Sequence, residues 1–371
     1  MENKAKGVKE LFSEVIDAGL CAYCGACTGS CPYLVPYNGR IALLDNCTLA
    51  EGQCYQYCPR TYTDIDALSQ QIFGAPYSEA AIGTTREVFT ARSTDLRVKA
   101  KAQYGGTVST LLSVAITEGL IDAAVMTKMS KEKIPGGFLA RNNKEVLGGA
   151  GSSYIACPVL ESYNRTPKDN GERLGVVGMP CQILALSKMK LKPPQNRVDI
   201  RNVQLVIGLF CTWALSAEGF RTFLSEKVDL QKVEKFDIPP PPTNRFDIYT
   251  GKGITSFPLE EIRKFTMPTC AYCLDMTAEF ADISVGSAEG IEGWNTVIVR
   301  TDTGARLVEV ARAKNILEIG ALPSQNLAHL KEAALNKKKR ALRQIVNKTG
   351  DKNNLLYLGL SPSLNKLLAQ A

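Results

Sequence analysis

The sequence predicts an α/β protein with a cysteine-rich module at its N-terminus and a helical, basic tail at its C-terminus. Four closely spaced cysteines open the chain, apolar runs of strand length alternate with helical patterns after residue 87, and the pattern is helical from residue 306 onward. With 371 residues, the chain is long enough for two or three domains. We predict domains near 1–65, 66–305 and 306–371, with a proline-rich linker near 239–244.

The composition is that of an ordinary globular protein, with 45% hydrophobic and 22% charged residues. No apolar run reaches membrane-span length and the N-terminus lacks a signal-peptide core, so we expect a cytoplasmic protein without a membrane span. The net charge of +7 is modest, and the basic run Lys337–Arg340 has no interleaved aromatic residues, which argues against nucleic-acid binding. We expect that run to be solvated or to contact an acidic partner.

Twelve cysteines against a single histidine, His329, are the most informative count in the composition. In a cytoplasmic protein, such a cysteine content indicates metal binding rather than disulfide bonds. The scarcity of histidine argues against catalytic triads, histidine acid–base chemistry and zinc–histidine sites. Iron–sulfur chemistry needs only thiolates and is therefore the class that remains.

The first cysteine group has the spacing of a bacterial ferredoxin, C-x2-C-x2-C-x3-C-P. Three thiolates on a tight loop, in which Gly25 permits the turn, wrap three corners of a cubane, and the fourth reaches another cluster. Zinc sites instead use two well-separated cysteine pairs. The residues of this run are Cys21, Cys24, Cys27, Cys31 and Pro32.

A second run keeps the C-x3-C-P ending but lacks one cysteine and carries an extra residue, so the N-terminus is predicted to be a two-cluster ferredoxin-like module. In such modules the fourth cysteine of each run serves the other cluster. One complete cluster is therefore assigned to Cys21, Cys24, Cys27 and Cys58. The second is left with Cys31, Cys47 and Cys54. It is then either a three-iron cluster or is completed by a non-cysteine ligand such as Glu51; alternatively, only one cluster forms here.

A dispersed group of cysteines lies in the predicted α/β region. Cys181 and Cys211 each follow an apolar run of strand type, and α/β folds place their sites at the carboxyl ends of strands. The C-x2-C pair Cys270 and Cys273 supplies two further thiols, so these four can form one more cluster site. We interpret the remaining Cys157 as a structural thiol.

Two glycine-containing loops are candidates for cofactor contacts, although ordinary turns explain such glycines at least as often. The first loop opens a helix, where exposed amides favour phosphate. No G-x-G-x-x-G fingerprint is present, so a Rossmann nucleotide site is not indicated. The candidate residues are Gly105, Gly106 and Thr107 in the first loop, and Ser152, Ser153 and Tyr154 in the second.

Several motifs in the same order make residues 85–345 resemble the beta subunit of coenzyme F420-reducing hydrogenase. The motifs are 91–95, 103–108, Pro180-Cys181-Gln182, 208–211, Cys270-x2-Cys273-x-Asp275, 281–286 and 293–301. The resemblance implies FAD and one [4Fe-4S] cluster, ligated at Cys181, Cys211, Cys270 and Cys273. With its N-terminal module, the chain looks more like the beta subunits of formate dehydrogenase and F420H2 dehydrogenase. The incomplete second cysteine run departs from that pattern.

The resemblance implies an oxidoreductase subunit that exchanges a hydride between FAD and coenzyme F420, or a related two-electron carrier. Single electrons would pass through [4Fe-4S] clusters to or from a catalytic partner subunit of a dehydrogenase, hydrogenase or disulfide reductase. Gly105 and Gly106 would let the backbone approach the FAD. Two alternatives stay open: a self-contained FAD and iron–sulfur reductase of an organic substrate, and an electron-relay adaptor subunit without a substrate site.

Overall fold

The computed structural model describes residues 5–167, 171–194, 199–239 and 243–370. The predicted proline-rich linker falls partly on residues 240–242, which lie outside the described residues. In the described chain the strands are β1 (Leu34–Tyr37), β2 (Arg40–Leu43), β3 (Glu87–Ser93), β4 (Ala123–Met129), β5 (Pro135–Ala140), β6 (Leu174–Gly178), β7 (Val203–Leu209), β8 (Val233–Asp237), β9 (Arg245–Thr250), β10 (Gly253–Pro258), β11 (Ile283–Ser287), β12 (Asn295–Val299) and β13 (Leu317–Gly320).

The α-helices of the same described ranges surround these strands. They are α1 (Val8–Leu11), α2 (Gln53–Gln56), α3 (Ile65–Phe73), α4 (Leu96–Lys101), α5 (Thr107–Thr117), α6 (Asn143–Gly148), α7 (Val159–Asn164), α8 (Pro180–Leu191), α9 (Ala217–Ser225), α10 (Leu259–Arg263), α11 (Asp302–Ala313), α12 (Ser324–Thr349) and α13 (Pro362–Ala369). In these ranges, no helix combines the length and the apolar character that crossing a bilayer requires.

The main body is a mixed sheet in the order β13-β3-β12-β11-β7-β6-β4-β5. Strands β4, β6, β7 and β11 run parallel to their neighbours in this set, whereas β3, β5, β12 and β13 pair antiparallel. Strands β6 and β7 are buried apolar runs, as both faces of the sheet are covered. The α/β prediction is thus confirmed as a mixed α/β fold. Because β6 and β7 are parallel neighbours, the loops that follow them emerge at the same edge of the sheet.

A second, three-stranded antiparallel sheet has the order β10-β9-β8. These strands form a separate sheet with an apolar cluster of its own. The cluster is built on aromatic rings, with the Phe220 and Phe246 centroids 5.5 Å apart in an edge-to-face arrangement. The sheet stands beside the carboxyl edge of the main sheet, where the two enclose a cavity described below.

The cysteine-rich N-terminal module does not have a core that is separate from the rest of the protein. Its buried Cys24 and Tyr57 belong to the same apolar cluster as Leu160 on α7 and Ile183 on α8. The cysteine loop is also fixed by Asn164, whose Nδ2 donates hydrogen bonds of 3.1 Å to Gly25 O and 2.6 Å to Thr28 O. The predicted division near residue 65 stays a prediction, but the packing continues across it.

Replacing Gly25 by alanine is expected to lower the free energy of unfolding by about 2–5 kcal/mol, because left-handed strain and overpacking add. Gly25 has φ +85°, and a Cβ there would lie 2.5 Å from Pro158 O. Gly19 is a matched control, since its φ is +71° but nothing lies within 4 Å of the added atom. Denaturant unfolding under anaerobic conditions measures both variants. An equal loss in the two would show that the contact with α7 does not matter.

The C-terminal part departs from the prediction of a wholly helical tail beyond residue 306. Helices α11, α12 and α13 are present, but β13 lies between the first two and pairs with β3 at the edge of the main sheet. Leu317 is buried while Glu318 is exposed, an alternation typical of an edge strand. A strand of this length is masked in the sequence by the long helical patterns on both sides. The main sheet therefore extends past the predicted boundary at residue 305.

Candidate functional site

The structure brings together the four dispersed cysteines that the sequence grouped. Cys181 lies in the first turn of α8 after β6, Cys211 follows β7, and Cys270 and Cys273 lie at the 3-10 turn Pro268–Tyr272. Burial raises the pKa of the Cys211 thiol, and so do the neighbouring thiols of Cys270, Cys181 and Cys273. These four residues are named here the inner site.

The complete ferredoxin set is also gathered in one place, named here the middle site: Cys21, Cys24, Cys27 and Cys58. The pKa of Cys24 is raised to about 12, first by burial and then by Cys58 and Cys21. Burial likewise raises the pKa of Cys27, with contributions from Cys24, Cys21 and Cys58. Burial raises the pKa of the Cys181 thiol most, and the nearby Cys24 thiol raises it further. This interaction indicates that the middle site is adjacent to the inner site.

The three remaining cysteines of the module, Cys31, Cys47 and Cys54, form the outer site. The pKa of Cys54 is raised to about 11, by burial first and then by Cys31 and Cys47. Burial raises the pKa of Cys27 most, followed by the middle-site thiols, and the Cys54 thiol adds a smaller contribution. The outer and middle sites are therefore adjacent. Glu51, the candidate fourth ligand, is exposed.

Cys157 belongs to none of the three sites. It is buried, and its backbone carbonyl accepts a 2.7 Å hydrogen bond from Gln182 Nε2. Burial raises the pKa of its thiol to about 12. An inert thiol is expected to be buried and protonated in this way, which is consistent with the structural role interpreted from the sequence.

Across the described ranges, no three His, Cys, Asp or Glu side chains are arranged to hold a single metal ion. A mononuclear zinc site requires its ligands within about 2.3 Å of one atom. A cubane instead places each thiolate on a different iron, so its four cysteines stand farther apart around an open centre. Four thiols of this kind are the donor set of a [4Fe-4S] cluster.

Buried cations around the thiols supply an independent test of whether anionic clusters fit. Arg60, Lys188 and Lys337 are all buried, and none forms an ion pair with Asp or Glu in the part of the chain that the structure describes. Leaving a buried charge uncompensated costs several kcal/mol. Thiolate-ligated clusters carry net negative charge and would offset these cations. The residues present therefore fit the groups that the sequence implies.

Lys337 corrects the expectation that the basic run Lys337–Arg340 is solvated. Its Nζ donates hydrogen bonds of 2.6 Å to Cys211 O and 2.8 Å to Asp275 O, beside the inner site. Lys338 is also buried and forms an ion pair with Glu279, with 2.7 Å between Nζ and Oε1. Lys337 and Lys338 are consecutive residues of α12 and point in different directions, yet both are buried. The helix is therefore covered by protein on more than one side at this turn.

A cavity of about 1030 Å³ lies between the carboxyl edge of the main sheet and the three-stranded sheet. This volume is at the upper end of the range for ligand pockets. Five of the six candidate cofactor residues line it: Gly106, Thr107, Ser152, Ser153 and Tyr154. Gly105 lies beneath, where a Cβ would be 2.7 Å from Ala91 O and 2.8 Å from Asn295 Oδ1. It therefore allows close packing against β3 and β12 rather than lining the cavity itself.

Several features of the cavity wall indicate that a polar ligand binds there. Gln103 Oε1 is buried and has no hydrogen-bond partner within the described chain, so a ligand hydroxyl or N–H would satisfy it. Tyr154 has φ +58°, and its hydroxyl accepts a 3.2 Å hydrogen bond from Ile238 N. Such strain at a non-glycine residue is concentrated at functional sites. Thr107, by contrast, already bonds Ala91 O through its hydroxyl at 3.1 Å.

The cavity connects the cofactor candidates to the inner site. Met179 and Cys211 line its floor, with 3.9 Å between their sulfur atoms. Sequence reasoning named no charged residue in this wall, but the structure places four cations there: Lys101, Lys133, Lys235 and Arg263. They come from four separate elements or loops, so no local pattern in the sequence could have grouped them.

Comparisons with known proteins agree with this architecture. Residues 88–164 match the family model "Coenzyme F420 hydrogenase/dehydrogenase, beta subunit N-term", and residues 171–325 match the model for the C terminus of the same subunit. The N-terminal cysteine module lies outside both models. The chain is 33% identical over 270 residues to the coenzyme F420 hydrogenase subunit beta of Methanothermobacter thermautotrophicus, covering 71% of this chain and 95% of that protein.

Two further similarities extend the comparison. The coenzyme F420-dependent sulfite reductase of Methanocaldococcus jannaschii is 30% identical over 338 residues, which cover 86% of this chain and 51% of that protein. A solved structure of the F420-reducing [NiFe] hydrogenase complex from Methanosarcina barkeri contains a chain that superimposes with a TM-score of 0.68 at 28% identity. That match covers 76% of this chain and 97% of the other.

Proposed function

The chain belongs to the coenzyme F420 hydrogenase/dehydrogenase beta-subunit family and is an oxidoreductase, and from this premise we propose that it exchanges electrons between coenzyme F420 and a partner subunit through FAD and iron–sulfur clusters. The observation that carries the proposal is the 1030 Å³ cavity, whose floor includes Cys211 of the inner site. A ligand in this cavity lies directly against a predicted cluster site. A flavin in the cavity and a cluster at the inner site would therefore be neighbours, because Cys211 borders both.

When bound, FAD and the clusters supply the chemistry of accepting two electrons as a hydride and passing them on singly. The chain binds and orients these groups. Ser152, Ser153 and Tyr154 provide polar contacts along one wall, and Gly106 opens α5 in a left-handed conformation with φ +72°. The buried Gln103 Oε1 accepts a hydrogen bond from the ligand. Without a ligand, this atom has no hydrogen-bond partner in the described chain.

The cations of the cavity are proposed to recognise the acidic carrier. Lys101, Lys133, Lys235 and Arg263 line the same space that contains the polar wall. Burial lowers the pKa of Lys133, which means that this ammonium group is partly removed from water and interacts more strongly with an anion. A negatively charged substrate would therefore be attracted to the cavity and held with its reactive ring inside.

The order of the three sites supports a relay. Cys211 of the inner site lines the cavity. The Cys24 thiol of the middle site raises the pKa of Cys181, and the Cys54 thiol of the outer site raises the pKa of Cys27, in both cases after burial. The middle site is thus next to both the inner and the outer site, and the inner site is next to the cavity. Cys31 and Cys47 are the more exposed thiols of the outer site, so we propose that the partner subunit contacts the protein there.

Anaerobic purification followed by iron, sulfide and flavin analysis tests the proposal. We expect one FAD and about eleven to twelve irons per chain, with the flavin bleached by F420H2 but not by NADH. Zinc without flavin would contradict the whole proposal. Flavin that is bleached only by another donor would retain the electron-transfer function and exclude F420 as the carrier.

We expect Glu51→Gln to leave the iron content of the outer site unchanged. The Glu51 side chain is exposed, and the groups that raise the pKa of Cys54, after burial, are the thiols of Cys31 and Cys47. Iron content and the electron paramagnetic resonance spectrum of the oxidised protein measure this, since a three-iron cluster is paramagnetic when oxidised. Cys54→Ser is the matched control and is expected to lose the outer cluster. A loss of iron in Glu51→Gln would instead identify Glu51 as the fourth ligand.

A further inference from the structure

Two buried cations cross between the cysteine module and the main domain in opposite directions. Arg60 follows the middle-site ligand Cys58 by two residues and reaches into the inner site of the main domain. Lys188 lies on α8, whose first turn carries the inner-site ligand Cys181, and reaches back into the module. Each part of the protein therefore places one cation against the cysteine site of the other.

Arg60 is held rigidly on several sides. Its Nε donates a 2.8 Å hydrogen bond to Thr269 Oγ1, next to the ligand Cys270, and the guanidinium also hydrogen-bonds the Cys273 side chain. The guanidinium carbon lies 4.7 Å from the centre of the Tyr357 ring. Tyr357 is itself anchored by a 2.9 Å hydrogen bond from its hydroxyl to Tyr272 O. The position of this charge is thus fixed relative to the inner site.

Lys188 is surrounded by oxygen atoms of the module. Its Nζ lies 2.7 Å from Cys58 O, 2.9 Å from Thr61 Oγ1 and 2.9 Å from Tyr62 O. These partners are neutral dipoles, so they solvate the ammonium group without cancelling its charge. Lys188 is buried, and in the described chain it has no ion pair with Asp or Glu.

Arg60 shares a small cavity with two cysteines of the inner site. A cavity of about 40 Å³ is lined by Arg60, Cys181 and Cys273, together with Tyr357. Arg60 follows the middle-site ligand Cys58 by two residues and hydrogen-bonds Thr269, which precedes the inner-site ligand Cys270. The guanidinium therefore lies beside ligands of the middle and the inner site at the same time.

We propose that Arg60 and Lys188 are positioning residues that favour the reduced state of the inner and middle clusters and so raise the reduction potentials of both. This inference rests on the proposed function, because it requires that both sites hold clusters. One electron added to either cluster increases its negative charge, and a fixed buried cation attracts that charge strongly where water is excluded. An arginine stays protonated at every pH at which the protein is folded, so the effect of Arg60 requires no proton transfer.

Redox titration of the purified protein with dithionite, monitored by electron paramagnetic resonance, tests the inference. In Arg60→Gln and Lys188→Met, the ratio of reduced to oxidised inner and middle clusters at a given potential is expected to fall about tenfold, equal to about 59 mV for a one-electron couple. Arg60→Lys keeps the charge and should stay close to the wild type. Arg97→Gln removes an exposed arginine paired with Asp95 and should shift neither cluster.

The possible outcomes separate this inference from the proposed function. Wild-type potentials in both Arg60→Gln and Lys188→Met, at full iron content, would overturn the inference alone. A wild-type protein without clusters in these sites would overturn the inference and the proposed function together. If Arg60→Gln does not retain iron, the other two variants decide. A lowered potential in Lys188→Met together with a wild-type potential in Arg60→Lys supports the inference. Any other pattern overturns it.

Discussion

Replacing Cys211 by serine is expected to remove about four irons per chain, because a serine hydroxyl is a poor substitute for the thiolate that a cubane requires. The cavity wall is otherwise intact, so about one FAD per chain should remain and should still be bleached by the carrier. The middle and outer clusters should no longer be reduced through the flavin, since the inner site lies between them and the cavity. Iron analysis and anaerobic stopped-flow spectra at flavin and cluster wavelengths measure both effects.

Cys157→Ser is the matched control for this experiment. Cys157 is buried and borders the same cavity, but it belongs to none of the three cysteine sites. We expect this variant to keep its full iron content and its electron transfer. Retention of all irons in Cys211→Ser, or the loss of four irons in Cys157→Ser, would mean that the inner-site ligands are assigned wrongly.

Replacing Lys338 by methionine is expected to lower the free energy of unfolding by about 3–5 kcal/mol, because it leaves the buried Glu279 carboxylate without its counter-charge. Lys338 Nζ lies 2.7 Å from Glu279 Oε1 and donates a 2.6 Å hydrogen bond to Tyr77 OH, and all three side chains are buried. The Tyr77 hydroxyl in turn lies 2.8 Å from Glu279 Oε2. This buried triad joins α12 to the segment before β3 and to the loop before β11.

Lys366→Met serves as the control, because Lys366 forms a 3.0 Å ion pair with Glu79 in which its own side chain is largely exposed. Exposed pairs contribute only about 0–1 kcal/mol. Denaturant unfolding of the two variants under identical anaerobic conditions measures the difference. A double variant with both Lys338 and Glu279 replaced by methionine should recover part of the loss. Equal destabilisation by the two single variants would mean that burial does not strengthen the Lys338 pair.

The candidate site divides into a part that the sequence predicts and a part that it does not. Cysteine spacing along the chain predicts the grouping at Cys21, Cys24 and Cys27, because these residues share one short loop and cannot lie far apart. Strand-end placement predicts that Cys181 and Cys211 lie at one site, because α/β folds place their sites at the carboxyl ends of strands. In the structure β6 and β7 are parallel neighbours, which brings these two strand ends to the same edge. The structure agrees with both groupings, whereas the identity of the bound clusters stays a prediction.

The buried cations show where sequence reasoning fails. The charge pattern predicts that Lys337 belongs to a solvated basic run, yet its side chain contacts the backbone of Cys211, 126 positions away in the sequence. Charge patterns along a helix indicate which residues share a face, but they do not indicate what that face packs against. Gly105 is a related case, since its position in a glycine pair suggested a cofactor contact and the structure shows close packing against β3 and β12 instead.

The amino-acid sequence by itself determined the α/β class, the three cysteine groups and the family, because these depend on local spacing, on apolar periodicity and on the order of motifs along one chain. Only the tertiary structure decided the cavity between two sheets, the strand β13 within the helical tail, and the reciprocal contacts of Arg60 and Lys188. Those features join residues that are distant in the sequence. Such contacts depend on how whole elements pack, and packing leaves no periodic signal in the residues that make the contact.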